Sequence, residues 1–250
     1  MSVRVLGVNI TDVSMREALA LVTDLIFHPE KRTRTIYFVN AHTLNCAAED
    51  PSYRELLNRA DVVFGDGTGV RWAARAQGIR LRDNVNGTDL VPRLFSETAG
   101  RGLRYYFLGA TEESIARAAE NAKTLFPGWV QAGFHHGYVK GDLSLDVVKK
   151  INDAEPHLLL VGMGNPIQER WIDTYRDQLR VPLAMGTGGL FDYWAGNLDR
   201  APAWMRKAGV EWLHLLRRQP KKAERYLLGN PKFLYRVGVD TVKKFRGENS

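Results

Sequence analysis

Four short stretches of this 250-residue chain carry residue types that could handle a phosphorylated ligand: Asn40-Ala-His-Thr43, Gly65-Asp66-Gly67-Thr68-Gly69, Gly162-Met-Gly164-Asn165-Pro-Ile-Gln168-Glu169 and Gly186-Thr-Gly188-Gly189. The third is the richest. In LLLVGMGNPIQERW, residues 158–171, a run of aliphatics meets two glycines, an amide and a proline. Gly162 and Gly164 let the backbone approach a ligand with no Cβ in the way. Pro166 suits the first turn of a helix, where a missing N–H is no loss. A helix starting there aims N–H groups and its positive dipole end at the strand edge, a ready anion site. Gln168 adds a neutral donor and acceptor. A tight strand-to-helix turn also explains the glycines, but explains Gln168 poorly. The other stretches are weaker taken alone. Gly-Asp-Gly is turn chemistry in any protein, so Asp66 has a turn-only reading. Asn40 also reads as the cap of the following helix, and His42 as an ordinary surface or core histidine.

What the four share is position, each following a short apolar segment. The strand candidates are Thr35–Asn40, Asp61–Phe64, Leu103–Leu108, His157–Met163 and Val181–Met185. Helical patterns lie between them, with N-cap candidates at Ser14 (a capping box with Glu17), Thr88, Thr111 and Ser144. VRVLGVNI at the start reads as a hairpin or edge strand. Strand–helix alternation predicts an α/β fold, a mostly parallel sheet with helices on both faces. In such a sheet, ligands bind outside the carboxyl ends of the strands, where these polar stretches converge. The chain lacks the Gly-x-Gly-x-x-Gly dinucleotide fingerprint, a His/Cys/Asp cluster at metal-ligand spacing and a Gly-x-Ser-x-Gly elbow.

The single cysteine, Cys46, excludes an intrachain disulfide and suits a reducing compartment. No apolar run approaches the ~20 residues that span a bilayer, and the N-terminal residues lack a signal-peptide core, so the expectation is a cytoplasmic protein. Net charge is +7 overall, but residues 200–250 hold 13 Lys/Arg against 4 Asp/Glu, while the remainder is close to neutral. Such a block points to an anionic partner, or simply to a solvated face. In the same region Trp204, Ala208, Trp212 and Leu215/Leu216 recur at helical spacing, and Pro220 and Pro231 divide it into short helices. Tryptophan and leucine beside arginine and lysine fit an interfacial helix; packing on the chain's own core is the alternative.

The segments FVNAHTLNCAAEDPSYRELLNRADVVFGDGTGV, NGTDL, GMGNPIQERWI, GTGGLFDYWAGNLDRAP and EWLHLLRRQP together resemble the WecG/TagA/CpsF glycosyltransferases (glycosyltransferase family 26), over nearly the whole chain. The combination of Gly-x-Pro-x-Gln-Glu with Asp-Gly-x-Gly-Val is specific. The resemblance implies a Rossmann-like core of the GT-E type over residues 1–200 and a basic, helical, membrane-binding appendage over 201–250. It implies an inverting transferase needing neither metal nor cofactor. A sugar passes from a UDP-sugar to an undecaprenyl-diphosphate-linked sugar on the inner membrane face, in cell-surface polysaccharide or teichoic-acid-type synthesis. Carried over by position, Asp66 is the catalytic base. Asn40 and Gln168 fall on the family's polar strand-end residue and its glutamine, and Lys222 and Arg225 on basic positions that meet the acceptor diphosphate and the membrane. Read beside these from the residues themselves, Gly162, Gly164, Asn165, Gly186 and Gly188 are expected to hold the donor with them, and Arg217 and Arg218 to add charge for the acceptor diphosphate and the membrane. Nucleic acid is not an expected partner; a homo-oligomer is left open. Three positions depart from the family pattern: Phe38 where many members have threonine, Asn84 where an arginine often precedes Val-x-Gly-x-Asp-Leu, and Leu215 where the tail usually has arginine.

A rival from another class is a non-catalytic nucleotide- or RNA-binding protein gripping phosphates with its basic tail. The confinement of positive charge to the tail and the lack of an RNP-like or helix-turn-helix pattern count against it.

Overall fold

The computed structural model describes residues 1–202, 204–205, 211–218 and 227–245. Its strands are β1 (Ser2–Val5), β2 (Val8–Thr11), β3 (Arg34–Val39), β4 (Val62–Gly65), β5 (Arg104–Gly109), β6 (Val130–His135), β7 (Leu158–Gly162) and β8 (Leu183–Gly186). They form one sheet in the order β1-β2-β4-β3-β8-β7-β5-β6. Pairing is antiparallel in the β1–β2 hairpin and parallel in every other pair. The N-terminal segment is therefore both a hairpin and the sheet edge.

The helices are α1 (Met15–Ile26), α2 (Ala41–Glu49), α3 (Pro51–Asn58), α4 (Thr68–Ala76), α5 (Gly87–Glu97), α6 (Glu112–Leu125), α7 (Asp142–Asp153), α8 (Ile167–Tyr175), α9 (Leu190–Trp194), α10 (Glu211–Arg218) and α11 (Gly229–Phe245). Successive strand side chains point to opposite faces, so each central strand feeds two cores. Tyr37, Val39, Leu159 and Val161 join one with α2, α3, α4, α7, α8 and α11. Ile36, Phe38, Leu158 and Leu160 join the other with α1, α5, α6 and α9. A sheet covered on both faces has near-continuous apolar strands, which is why these segments are so easily read.

On the second face, aromatics lock α5 and α9 onto β5. Phe95 stacks on Tyr105 at 5.3 Å between centroids, Tyr105 on Phe107 at 4.6 Å, and Phe107 meets Trp194 at 5.3 Å. Each pair contributes about 0.5–1.5 kcal/mol beyond area burial. Because α9 follows the 186–189 glycine cluster, this packing fixes one wall of the strand-end surface.

Several expectations shift. Ser14 and Thr111 cap α1 and α6 as predicted, but α5 is capped by Asn86 rather than Thr88: Asn86 reaches the Asp89 N–H two residues earlier than the apolar pattern suggests. Helix α7 begins after Gly141, with Ser144 buried inside it rather than capping it. Strand β6 was not predicted; its side chains are mostly part-exposed at the sheet edge, so it lacks the apolar run that marks its neighbours. Pro231 does not break a helix but stands in the first turn of α11, where proline is tolerated.

The segment beyond residue 200 is not wholly separate from the core. Phe233 and Val237 of α11 are buried in the first cluster. Asn45 Nδ2 donates to the Gly229 carbonyl at 2.8 Å, and Arg236 pairs with Glu49 at 2.8 Å. The outward face of α11 carries exposed Leu234, Tyr235, Val239 and Val242. Among the described residues, no helix is long and apolar enough to cross a membrane.

Candidate active site

Register brings the polar stretches together. Val39 lies opposite Gly65, Tyr37 opposite Gly186, Val161 opposite Gly186, and Gly109 opposite Gly162. The residues just after these ends, including Asn40, Asp66, Ala110, Met163 and Thr187, line one cleft of about 550 Å³. It crosses β4-β3-β8-β7-β5, four strand spacings or roughly 19 Å. All eight expected catalytic and donor-site residues, Asp66, Asn40, Gly162, Gly164, Asn165, Gln168, Gly186 and Gly188, line it.

On the β3/β4 side, Asn40 is the N-cap of α2. Its Oδ1 accepts from His42 N at 3.0 Å and Thr43 N at 3.2 Å. Asp66 donates its backbone N–H to the Val39 carbonyl at 2.8 Å, which ties the turn after β4 to the neighbouring strand. Gly67 turns the chain at φ 93°, a conformation that favours glycine. Asn84 Oδ1 then accepts from Gly67 N at 2.6 Å. The residue that departs from the family's arginine thus holds the loop carrying Asp66. Phe38, another departure, is buried on the cleft floor; a Cβ on Gly87 would lie 3.3 Å from its ring.

The β7/β8 side is held differently. Helix α8 has Pro166 at its N-cap and no side-chain cap. Instead Gln168, in its first turn, reaches back. Its Oε1 accepts from Gly164 N at 3.1 Å and, across the cleft floor, from Gly188 N at 3.0 Å. Its Nε2 donates to Glu169 Oε1 at 2.7 Å. Gln168 is 1% exposed and Glu169 fully buried. Besides lining the cleft, the Gln168 amide clamps two loops through these hydrogen bonds. The glycines divide by role accordingly. Gly164 and Gly188 take φ of 84° and 59°. A Cβ on Gly186 would come within 3.0 Å of Gln168 Nε2, and one on Gly162 within 2.6 Å of the Phe191 ring. Gly162 thus makes room for Phe191 while lining the cleft.

Sequence reasoning missed Thr111, Ser114, Tyr138 and Asp192, which also line the cleft. Thr111 follows the third strand candidate, so the strand-end rule applied there reaches it; Tyr138 follows the unrecognised β6. Asn86 is the other omission. It accepts from Asp89 N, donates to Asp89 Oδ2 at 2.7 Å, and Asp89 in turn pairs with Arg200 at 2.9 Å.

Among the described residues the cleft wall carries Asp66 and Asp192 but no lysine or arginine. No group of three or more His, Cys, Asp or Glu side chains gathers there in an arrangement that could hold a metal ion. Lys222 and Arg225 lie outside the described residues, and Arg217 and Arg218 fall on α10 without described side chains.

The sequence profile of the Glycosyl transferase WecG/TagA/CpsF family matches residues 3–247. The chain belongs to this family. Its enzymes are glycosyltransferases, which sets aside the non-catalytic nucleotide- or RNA-binding reading. Among similar proteins is an N-acetylglucosaminyldiphosphoundecaprenol N-acetyl-beta-D-mannosaminyltransferase of Bacillus spizizenii, 34% identical over 191 residues, 76% of this chain and 73% of the relative. A protein of the same name from Staphylococcus aureus strain MW2 is 30% identical over 236 residues, covering 94% of this chain and 91% of the relative. The family match spans both the sheet and the C-terminal helices.

Proposed function

We propose that the chain transfers a sugar, with inversion, from a UDP-sugar to an undecaprenyl-diphosphate-linked sugar. The observation that carries the reading is the arrangement of one cleft: Asp66 at the β4 side, and the clamped glycine loops two and three strands away, roughly 10–14 Å. The β7/β8 loops form the donor end, and the acceptor hydroxyl enters beside Asp66. Asp66 accepts the hydroxyl proton as the oxygen attacks the anomeric carbon. The bond to UDP breaks on the opposite face, its electron pair leaving with the diphosphate, so the configuration inverts. Negative charge grows on the leaving group, and fixed donors stabilise it most where water is excluded.

The cleft wall supplies hydroxyls and backbone N–H groups but no described cation. The proposal therefore assigns charge neutralisation to Arg217, Arg218, Lys222 and Arg225 of the basic tail. Exposed Trp204 and Leu213, with the apolar outer stripe of α11, support peripheral seating on an anionic membrane. Each basic residue near such a surface contributes about 1 kcal/mol, so co-sedimentation of the full chain with anionic vesicles is expected to weaken as salt rises. The relatives' names make N-acetylmannosamine and N-acetylglucosaminyl-diphosphoundecaprenol the first donor and acceptor to test, the metal-independent reading predicting unchanged turnover in EDTA. Phe38, bulkier than threonine on the cleft floor, is the feature that bears on donor choice.

The test is a thermal-shift panel of UDP, UDP-sugars, NAD and RNA, followed by transfer assays on the full chain. A ligand that binds the folded state raises its apparent stability. Stabilisation by UDP and UDP-sugars alone is expected. Salt-sensitive RNA binding with no response to UDP overturns the reading.

A further inference from the structure

Behind the clamped loops sits a carboxyl that the reaction proposed above does not touch. Glu169 is fully buried. Its Oε1 accepts from Gln168 Nε2 at 2.7 Å and Asn165 Nδ2 at 2.5 Å. Among the described residues its Oε2 has no hydrogen-bond partner of ordinary geometry, and neither has the Tyr53 hydroxyl that faces it from α3. From β3, the Tyr37 hydroxyl lies 3.5 Å from the Glu169 carbonyl oxygen. Asp173 on the same helix and Arg176 at its C-cap bear on Tyr37, and Cys46 on Tyr53. Among the described residues no cation is hydrogen-bonded to Glu169.

A lone carboxylate in such surroundings is costly. Burial raises the Glu169 pKa, as it does for the two tyrosines. A proton taken up by Glu169 goes to Oε2, the oxygen to which no N–H points, while Oε1 stays an acceptor for two amides. Gln168 sits between fixed partners on both sides: an acceptor behind it and two backbone donors, Gly164 N and Gly188 N, in front. That set admits one orientation of the amide.

We propose that Glu169 is a positioning residue for sugar transfer: a buried acceptor that orients the Gln168 amide so that its carbonyl oxygen bridges Gly164 N and Gly188 N and shapes the donor end of the cleft. The role rests on the transferase reading for its effect on turnover, but the clamp itself can be measured without turnover. Glu169 acts through shape and acceptor capacity, not charge. Its amide analogue keeps both, because a glutamine oxygen can accept from Gln168 and Asn165 while its NH₂ replaces the protonated Oε2.

The experiment compares E169Q and E169A in the full chain, by donor and acceptor kinetics and by amide hydrogen exchange at Gly164 and Gly188. E169Q is expected to keep donor KM within about threefold of wild type and to retain protection at both glycines. E169A is expected to raise donor KM on the order of tenfold, with acceptor KM little changed, and to lose protection at both. Should E169A fail to fold, E169M, close in volume, makes the same comparison. Loss of activity in E169Q equal to that in E169A overturns the proposal, since a charge or a transferred proton is then required. Unchanged protection in E169A or E169M overturns it as well. If no form of the chain transfers sugar, the transferase reading fails, and the exchange data alone decide the clamp.

Discussion

Two helices start at the floor of the same cleft and are secured in different ways. At β3–α2, Asn40 caps its own helix through bonds to residues two and three positions on. At β7–α8, Pro166 offers no cap, and Gln168 bridges to Gly164 four residues back and Gly188 twenty residues on. The first device is local: its acceptor serves one helix. The second couples two loops from adjacent strands and depends on a buried network behind it. Damage at Asn40 should therefore register mainly as helix stability, and damage at Gln168 mainly as the shape of the donor end.

The largest effect should come from neither device but from the group they frame. Asp66→Asn keeps the turn after β4 and removes the proposed base. Turnover is expected to fall on the order of 10²-fold or more, with UDP affinity by calorimetry nearly unchanged. Asp192→Asn, the other carboxylate on the wall, should keep most of kcat. Equal loss in both variants would mean that the β4 side has no special role.

Next in size is Gln168→Leu, which strands the N–H groups of Gly164 and Gly188. Donor KM should rise on the order of tenfold or more, and stability fall by at most about 1–3 kcal/mol, since the two N–H groups left unpaired are only part-buried. Steady-state kinetics with donor and acceptor varied separately reads the split; an equal rise in both KM values would place the damage outside the donor end.

Asn40→Ala should cost about 1 kcal/mol through the lost cap, lowering Tm by about 2–4 °C in a chain of this size. Asn40→Ser keeps a capping oxygen and loses the amide. Recovery of Tm and activity together makes Asn40 a cap alone; recovery of Tm without activity reveals a second role at the ligand.

The smallest effect is in pH. Glu17, held at about 2 chiefly by the Ser14 backbone N–H, is a carboxylate with a depressed folded pKa. Its contribution is present above the unfolded value near 4.5 and is lost as pH falls toward 2. Glu169 is opposite in sign. Its folded pKa is raised, so above about 4.5 the native state binds more protons than the unfolded one, and stability declines with rising pH until the folded pKa is passed. Thermal melts of wild type and E169Q from pH 4 upward should show the gap shifting in favour of E169Q; a constant gap contradicts a buried neutral acid.

The same contrast accounts for what could be read in advance. The central strands were legible because a doubly covered sheet writes unbroken apolar runs, and the Ser14 and Thr111 caps because their partners lie three residues away. Strand β6 escaped since its exposed edge carries no such run. The cleft's membership was legible from strand ends, but the work of Gln168 was not: nothing near Gln168 in the sequence announces Gly188, and only the parallel neighbourhood of β7 and β8 brings them within 3.0 Å. The contact of Gly162 with Phe191 was hidden for the same reason, the two being distant in sequence.

The central claim is inverting transfer with Asp66 as base. The most direct test incubates the full chain with UDP-α-N-acetylmannosamine and an N-acetylglucosaminyl-diphosphoprenol, following product by mass and its anomeric configuration by NMR. The account predicts a disaccharide on the diphospholipid with a β linkage, formed by wild type and lost in Asp66→Asn. An α linkage, or undiminished product with Asp66→Asn, contradicts it.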